Sequence, residues 1–305
     1  MTVRLRHTRS GRTWTGSEAR AGLWLALLLW AASPVQAECA APPTGLRTII
    51  NVIDGETLTL DDGSQIRLIG ALAPRAPDPE LTDRSWMPAR VAAETLERWA
   101  LGRAVDLRFD GRRTDRHGHL LAHVFLHRDG ERIWLQGRMV EEGLARAYSL
   151  SDNRACIAEL LERENDARTA ARGLWSMPAY QVRIASRPRE IERYRHTYQL
   201  VEGRVRTVTE PGGRTLISFG RGERTDFFAM IEKSDRRLFD KSGIDPQSLA
   251  RRRVRVRGWV ETWGGPFIKL THPEQLEILS DASEQARVRR RPFTRAAFRD
   301  HATGL

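Results

Sequence analysis

The sequence has only two cysteines, Cys39 and Cys156, among its 305 residues. Two cysteines are too few for a disulfide-rich scaffold or for a zinc site built from cysteines, but they are enough for one bridge. With 14 prolines and 24 glycines, the chain is also unlike collagen or low-complexity sequence. Its 40% of apolar residues can fill two modest cores, in line with a usual domain size of ~100–200 residues.

Apolar runs are short as well. The uncharged run at residues 21–32 has twelve residues, whereas a membrane span needs ~20. Arginines precede this run, and the Val35–Ala37 triplet that follows offers small residues for cleavage. This order is typical of a secretory signal peptide, so residues 1–37 are predicted to be removed. The mature chain, without a transmembrane segment, is then expected to be periplasmic or secreted, where Cys39 and Cys156 are predicted to form a disulfide. Two separately buried thiols are the alternative.

Acidic residues are fewer than basic ones. The chain has 39 Asp and Glu against 50 Lys and Arg, a net charge of +11 at pH 7. Arginine dominates the basic side, and its guanidinium matches phosphate and carboxylate groups in a bidentate manner. The charge therefore indicates an anionic partner, such as nucleic acid or another anionic polymer, although it says nothing about the fold.

Between residues 46 and 177, strand-like segments alternate with helical ones. Apolar and β-branched residues predict strands at 46–52, 57–60, 66–69, 105–109 and 120–126. Apolar spacing and end signals predict helices at 88–102, 135–144 and 152–173. Short strands with interspersed helices favour an α+β fold. The domain, spanning 38–177, is predicted to be an OB-type five-stranded barrel with packed helices.

The rest of the chain contains a second strand-rich region. Residues 178–197 are polar and lack a pattern, so they are predicted to be a linker. Residues 198–280 repeat a five-stranded pattern, which predicts a second, smaller OB-like β-barrel. Residues 281–305 are basic and lack an apolar period, so they are predicted to be a flexible tail.

Three motifs stand in order along the first domain. Val52–Leu58 reads VIDGETL, and Ile66–Gly70 with Ala73-Pro74 follows as a strand end. Thr114–Ala122 reads TDRHGHLLA, and Gly173–Trp175 closes the last helix. Together these motifs resemble the thermonuclease, or micrococcal-nuclease-like, family, whose fold is an OB barrel elaborated with helices.

The resemblance covers residues 46–177 and implies hydrolysis of phosphodiesters in DNA and RNA. It implies a calcium ion held by two aspartates, two arginines that grip phosphate, and a glutamate that acts as the base on water. The groups suit these roles, because Ca²⁺ prefers about 6–8 oxygen ligands and guanidinium forks match phosphate oxygens.

This sequence departs from the family at most of those positions. The metal aspartates fall on Glu56 and Leu72, the base on Arg75, and the phosphate arginines on Arg67 and His119. Only Arg67 is retained, with Glu56 as a conservative replacement. The family-matched candidates for catalysis are therefore Glu56, Arg67 and His119. Since the calcium ligand set is incomplete, no bound cofactor is expected.

Other polar side chains leave alternatives open. Asp78 and Glu80 in the following loop could supply substitute carboxylates or could simply be solvated. His117 and His119 would share one face of a strand, where they could form a metal or acid–base pair or be exposed turn residues. Arg67 could bind an anion or pair with the neighbouring carboxylate at position 56.

In the second barrel, basic and apolar residues alternate. The alternation puts Arg253, Arg255 and Arg257 on one strand face, and Trp259 follows them. A basic strand beside aromatic rings is typical of platforms for single-stranded nucleic acid, so these four residues are candidate nucleic-acid-binding residues. A half-buried strand with a solvated basic face is the alternative.

Three functions agree with the sequence. The first is a phosphate- or nucleic-acid-binding module with a degenerate catalytic site, and the loss of carboxylates around the pocket favours it. The second is an active phosphodiesterase, a nuclease of DNA or RNA with a rearranged site. The third is a cell-envelope scaffold whose basic surface binds anionic polymers.

Overall fold

The structure is a computed structural model that describes residues 44–76, 86–128, 130–222 and 225–279. The predicted signal peptide, Cys39, the loop acids Asp78 and Glu80, and the predicted tail lie outside these residues. Within the described ranges, no helix is both long enough and apolar enough to cross a membrane.

The first half of the described chain forms a closed barrel. The strands of this half are β1 (Arg47–Val52), β2 (Thr57–Leu60), β3 (Gln65–Leu68), β4 (Ala71–Leu72), β5 (Ala104–Arg108), β6 (Leu120–Arg128), β7 (Glu131–Trp134) and β8 (Arg146–Ala147), of which β4 and β8 form a separate two-stranded sheet. Its helices are α1 (Met87–Ala100), α2 (Leu135–Glu141) and α3 (Ile157–Thr169). β3 pairs in parallel with β6, which closes the order β1-β2-β3-β6-β5 into a five-stranded barrel. The predicted OB-type barrel with packed helices is confirmed.

Helix α1 packs against this barrel beside the Glu56 position. Pro88 lies in its first turn, where the missing N–H costs nothing. Ala92 and Leu96, four residues apart, face the core. A Cβ at Gly55 would lie only 2.9 Å from the Cβ of Ala92. The turn that leads into β2 therefore requires glycine, and this close approach fixes where the Glu56 side chain begins.

The second half forms a second barrel. Its strands are β9 (Arg183–Ile184), β10 (Tyr198–Arg204), β11 (Thr207–Thr209), β12 (Thr215–Ser218), β13 (Phe228–Ile231), β14 (Arg253–Trp263), β15 (Gly265–Lys269) and β16 (Leu276–Leu279). Its helices are α4 (Pro188–Glu192) and α5 (Lys233–Lys241). β10 and β11 act as one bent strand, since β10 pairs with β14 and β11 with β12. With β13 parallel to β15, the connectivity repeats that of the first barrel.

Residues 178–197, predicted as a linker, fold onto the second barrel. β9 pairs in parallel with β10, and Ile191 of α4 is fully buried. The buried Arg183 donates hydrogen bonds to the carbonyl oxygens of Pro178 and Ala179 at 2.7 Å each. Backbone pairing, guanidinium hydrogen bonds and two buried apolar side chains, Ala185 and Ile191, hold this segment. Two apolar residues six positions apart do not produce a periodic pattern that the sequence could display.

The two barrels share a small core. Leu72 of β4 and Trp175 of the first barrel are buried together with Tyr198 and Leu200 of β10. Both barrels belong to one compact unit of the chain. The second barrel therefore contributes side chains next to the segment that carries the family motifs.

Candidate functional site

Glu56 lies at the centre of a cluster of charged side chains. It is buried, and its Oε1 accepts hydrogen bonds from the Nη2 atoms of Arg67 and Arg75, each at 2.5 Å. Its Oε2 accepts from the backbone N–H of Ala73 at 2.9 Å. Both carboxylate oxygens are therefore occupied by donors of the chain itself. We call Glu56, Arg67 and Arg75 the arginine–glutamate cluster.

The cluster carries more positive than negative charge. Two guanidinium groups meet one carboxylate, and both remain accessible, with 32% of the Arg67 side chain and 49% of the Arg75 side chain exposed. Arg67 sits on β3 opposite Thr57, so the barrel fixes its direction. An accessible guanidinium on a rigid strand can bind an anion without rearrangement.

Asp115 connects His119 to this cluster. Its Oδ2 lies 2.8 Å from His119 Nδ1 and 3.9 Å from Arg67 Nη1. Its Oδ1 accepts the backbone N–H groups of His117 and His119, at 2.8 and 3.0 Å. Burial opposes ionisation, but the hydrogen bonds from His119 and from the backbone outweigh it, so the pKa of Asp115 lies below its ordinary value. The fold thus brings together the sequence-predicted residues Glu56, Arg67, Arg75 and His119.

The Leu72 side chain lies in the apolar core between the barrels and not among these charged side chains. It pairs with Arg146 in the short β4–β8 ladder. Its side chain is buried in the core shared by the barrels, with Tyr198 and Leu200. The position that carries a metal aspartate in the family therefore serves packing in this chain, and it supplies no oxygen ligand.

A calcium ion does not fit this set of side chains. Calcium takes about 6–8 oxygen ligands, yet the Glu56 carboxylate is already neutralised by two guanidinium groups. Arg75 brings positive charge where a cation would bind. Among the described residues, no group of three or more His, Cys, Asp and Glu side chains could hold a metal ion.

Tyr148 is a site residue that the sequence reasoning missed. It follows β8, and its backbone N–H donates to the carbonyl oxygen of Gly70 at 3.0 Å. Burial raises the pKa of Tyr148, whereas the charge of Arg67 and a hydrogen bond with Trp259 act in the opposite direction. The Tyr148 ring also packs edge-on against Tyr198, so this residue lies where the two barrels meet. No local sequence signal predicts this contact, because it joins residues that are distant in the chain.

The predicted basic platform on β14 needs correction. Arg255 and Arg257 are buried rather than solvated. Arg255 donates to Glu202 and Glu277, at 2.6 and 2.7 Å. Arg257 bonds carboxylates in the same interior. Because buried charges must be paired, these arginines serve ion pairs inside the protein and cannot contact a polymer.

The other two candidates on β14 differ in exposure. Arg253 is partly exposed at the start of the strand, and Trp259 is exposed.

The second cysteine, Cys156, is buried directly before α3. Its predicted partner Cys39 lies outside the described residues, so the bridge stays a prediction.

Comparison with known proteins agrees with the barrel and its motifs. Residues 65–177 match the family model described as staphylococcal nuclease homologue. The chain therefore carries a domain of the thermonuclease-like family. It is 28% identical over 131 residues to a thermonuclease of Staphylococcus hyicus, covering 42% of this chain and 74% of that protein. It is 27% identical over 145 residues to an uncharacterised protein of Bacillus anthracis, covering 45% of this chain and 65% of that protein, just under two thirds. The family match ends before the second barrel.

Proposed function

We propose that this protein binds the phosphate groups of nucleic acid through its thermonuclease-like domain and does not hydrolyse them by a calcium-dependent route. The observation that carries the proposal is the engagement of Glu56 by both Arg67 and Arg75. In the family this neighbourhood is expected to hold a cation. Here Glu56 is engaged by two accessible guanidinium groups, with Asp115 3.9 Å from Arg67, and such guanidinium groups can bind anions.

Binding rests mainly on Arg67. A guanidinium has five N–H donors, and its hydrogen bond to Glu56 uses one of them. Phosphate oxygens match the remaining fork geometry, and charge assistance makes such hydrogen bonds strong. His119 Nδ1 and Arg67 Nη1 both approach Oδ2 of Asp115, at 2.8 and 3.9 Å, so the imidazole lies near this guanidinium.

Loss of calcium-dependent cleavage rests on Leu72 and Arg75. A leucine side chain has no ligand atom, and a guanidinium does not accept a proton from water in the physiological range. Removing one well-placed electrostatic contributor costs about 10²–10³-fold in rate. The described residues thus lack both the second metal carboxylate and the general base of the family.

The test measures binding and cleavage in the same samples. Anisotropy of labelled oligothymidylate should report binding that persists with chelator and weakens steeply with salt. Calcium should add no cleavage. Arg67→Ala should abolish most binding, whereas Arg47→Ala should not, because Arg47 pairs with Asp61 and Asp62 in a surface ion pair outside the cluster. Rapid calcium-dependent cleavage that is lost with chelator and in Arg67→Ala would overturn the proposal.

We also propose that the chain is exported and processed. The basic lead, the apolar run at residues 21–32 and the Val35–Ala37 triplet support this proposal. N-terminal sequencing of the protein from its native cells tests it. A mature chain that begins near Glu38 is expected, and a chain that still begins at Met1 contradicts it.

A further inference from the structure

Three aromatic rings in contact link the end of β8 in the first barrel to β14 of the second barrel. The ring of Tyr148 packs edge-on against Tyr198, with ring centres 5.5 Å apart. Tyr198 packs in the same way against Trp259, at 5.9 Å. Tyr198 lies directly opposite Trp259 in the β10–β14 ladder, which fixes this arrangement by backbone hydrogen bonds. The buried Tyr198 ring therefore connects Tyr148, which follows β8 of the first barrel, with the exposed indole of Trp259 on β14.

Trp259 and Trp263 are both exposed, with 46% and 58% of each residue accessible. They are four residues apart on one strand, so they share a face and lie about 13 Å apart along it. Trp263 rests against Phe228 at 6.4 Å, and Phe228 stacks on Phe267 at 5.2 Å. Phe228 thus supports the Trp263 ring while more than half of the residue stays exposed, an arrangement suited to stacking.

The charges along this face favour bases over the middle of the strand and phosphate groups at its two ends. Glu261, also exposed, lies between the two tryptophans. Its carboxylate repels a phosphate placed directly over the strand, so planar bases are favoured there. Guanidinium groups lie at both ends: Arg67 on β3, and Arg214, which pairs with Glu232 at 3.0 Å and lies 6.0 Å from the centre of the Trp263 ring. Anchors for phosphate therefore flank a surface for bases.

We infer that Trp259 and Trp263, together with Arg67, form a groove for single-stranded nucleic acid. The inference rests on the proposed phosphate binding and adds that the second barrel reads the bases by stacking. Stacking on an exposed indole requires an unpaired base, because bases inside a duplex already stack on one another. Base–aromatic stacking tolerates any sequence, so the groove should discriminate strandedness rather than sequence.

The experiment compares three labelled probes on the full mature chain: oligothymidylate, its duplex with oligoadenylate, and an abasic oligomer of equal length. Trp259→Ala should weaken oligothymidylate binding about tenfold and leave abasic binding unchanged. Trp263→Ala should act in the same direction, and Trp259→Phe should recover part of the affinity. Ile278→Ala is the matched control, since Ile278 is a 44% exposed apolar residue of the same barrel. Equal thermal unfolding midpoints establish that each variant is folded.

The outcomes separate the two proposals. Equal affinity for all three probes, unchanged in both tryptophan variants, overturns the groove but leaves phosphate binding by Arg67 intact. Failure of every probe to bind overturns the proposed function itself. Binding of oligothymidylate that depends on Trp259 but not on Arg67 overturns the proposed groove, because Arg67 would then take no part in it.

Discussion

Arg257 of the second barrel donates a hydrogen bond to Glu164 of the first across 2.7 Å, and both side chains are fully buried. Glu277 accepts a further hydrogen bond from the same guanidinium. Burial disfavours the charge, but Glu164 and Glu277 outweigh it and raise the pKa of Arg257 above its ordinary value. The two barrels are therefore joined by a buried ion pair rather than by a flexible connection.

Removing one partner of this pair should destabilise the whole protein. Arg257→Ala leaves Glu164 without its guanidinium in the interior, and we expect the free energy of unfolding to fall by about 3–5 kcal/mol. Chemical denaturation measures this change. Arg47→Ala, which removes a surface ion pair, should cost no more than about 1 kcal/mol. Equal effects of the two substitutions would show that the buried ion pair stabilises the fold no more than a surface ion pair does.

Restoring the family aspartate at position 72 should harm the fold. Leu72→Asp places a carboxylate in the shared core beside Tyr198 and Leu200, and an unpaired polar group there costs about 2–7 kcal/mol. Thermal unfolding should shift strongly downward, whereas Leu72→Met, which conserves volume, should cost less than about 1.5 kcal/mol. An unchanged unfolding midpoint for Leu72→Asp would place this side chain in solvent, contrary to its burial.

Arg75 should contribute to nucleic-acid affinity through its charge. Arg75→Gln removes one positive group from the cluster, so oligothymidylate affinity should fall. The slope of log affinity against log salt should become shallower by about one. Titrations by anisotropy at several salt concentrations measure both, with Arg47→Gln as the matched control. A slope that does not change in Arg75→Gln contradicts direct phosphate contact by this residue.

Stability should decrease as the pH falls from 6.5 towards 4. His272 Nε2 lies 2.6 Å from Ser149 Oγ at the junction of the barrels. Burial lowers the pKa of His272 to about 4, and burial does the same for His123. The unfolded chain takes up these protons near pH 6.5, whereas the folded chain does not. Because the unfolded state therefore binds more protons between pH 6.5 and 4, folding becomes less favourable as the pH falls.

The free energy of unfolding should fall by about 3 kcal/mol for each histidine once the pH has fallen through the pKa of the folded state. Denaturation series at several pH values measure it, and His272→Gln should make the dependence shallower than in the parent chain. An identical slope for the variant and the parent would contradict the assignment to His272.

Cys39 and Cys156 should be oxidised in the mature protein. Cys156 is buried immediately before α3, and a bridge to the N-terminal segment would add about 2–4 kcal/mol of stability. Thiol titration of the denatured, unreduced protein should detect no free thiol. The Cys39→Ser and Cys156→Ser double variant gives the baseline, and two free thiols in the parent chain would refute the bridge.

The local pattern of the sequence determined the strands of the first barrel and the residues of its arginine–glutamate cluster. Strand periodicity and the Asp54-Gly55 turn predicted β1, β2 and β3, because side-chain alternation follows from backbone geometry alone. The family motifs placed Glu56, Arg67 and His119 at matching positions, and these residues do converge. The alternation predicted Arg255 and Arg257 on one face of β14, and both of them pair with Glu277.

Only the tertiary structure decided what covers each face. A period of two residues says which side chains point together, but it does not say whether solvent or another element lies opposite. Glu164 and Arg257 are separated by 93 positions, and the contact of Tyr148 with Tyr198 joins different barrels. Such pairings depend on how barrels and helices pack, and no local propensity encodes them. For this reason, the basic face of β14 became interior, Leu72 became a packing residue, and Trp259 came to lie against Tyr198 near the junction of the barrels.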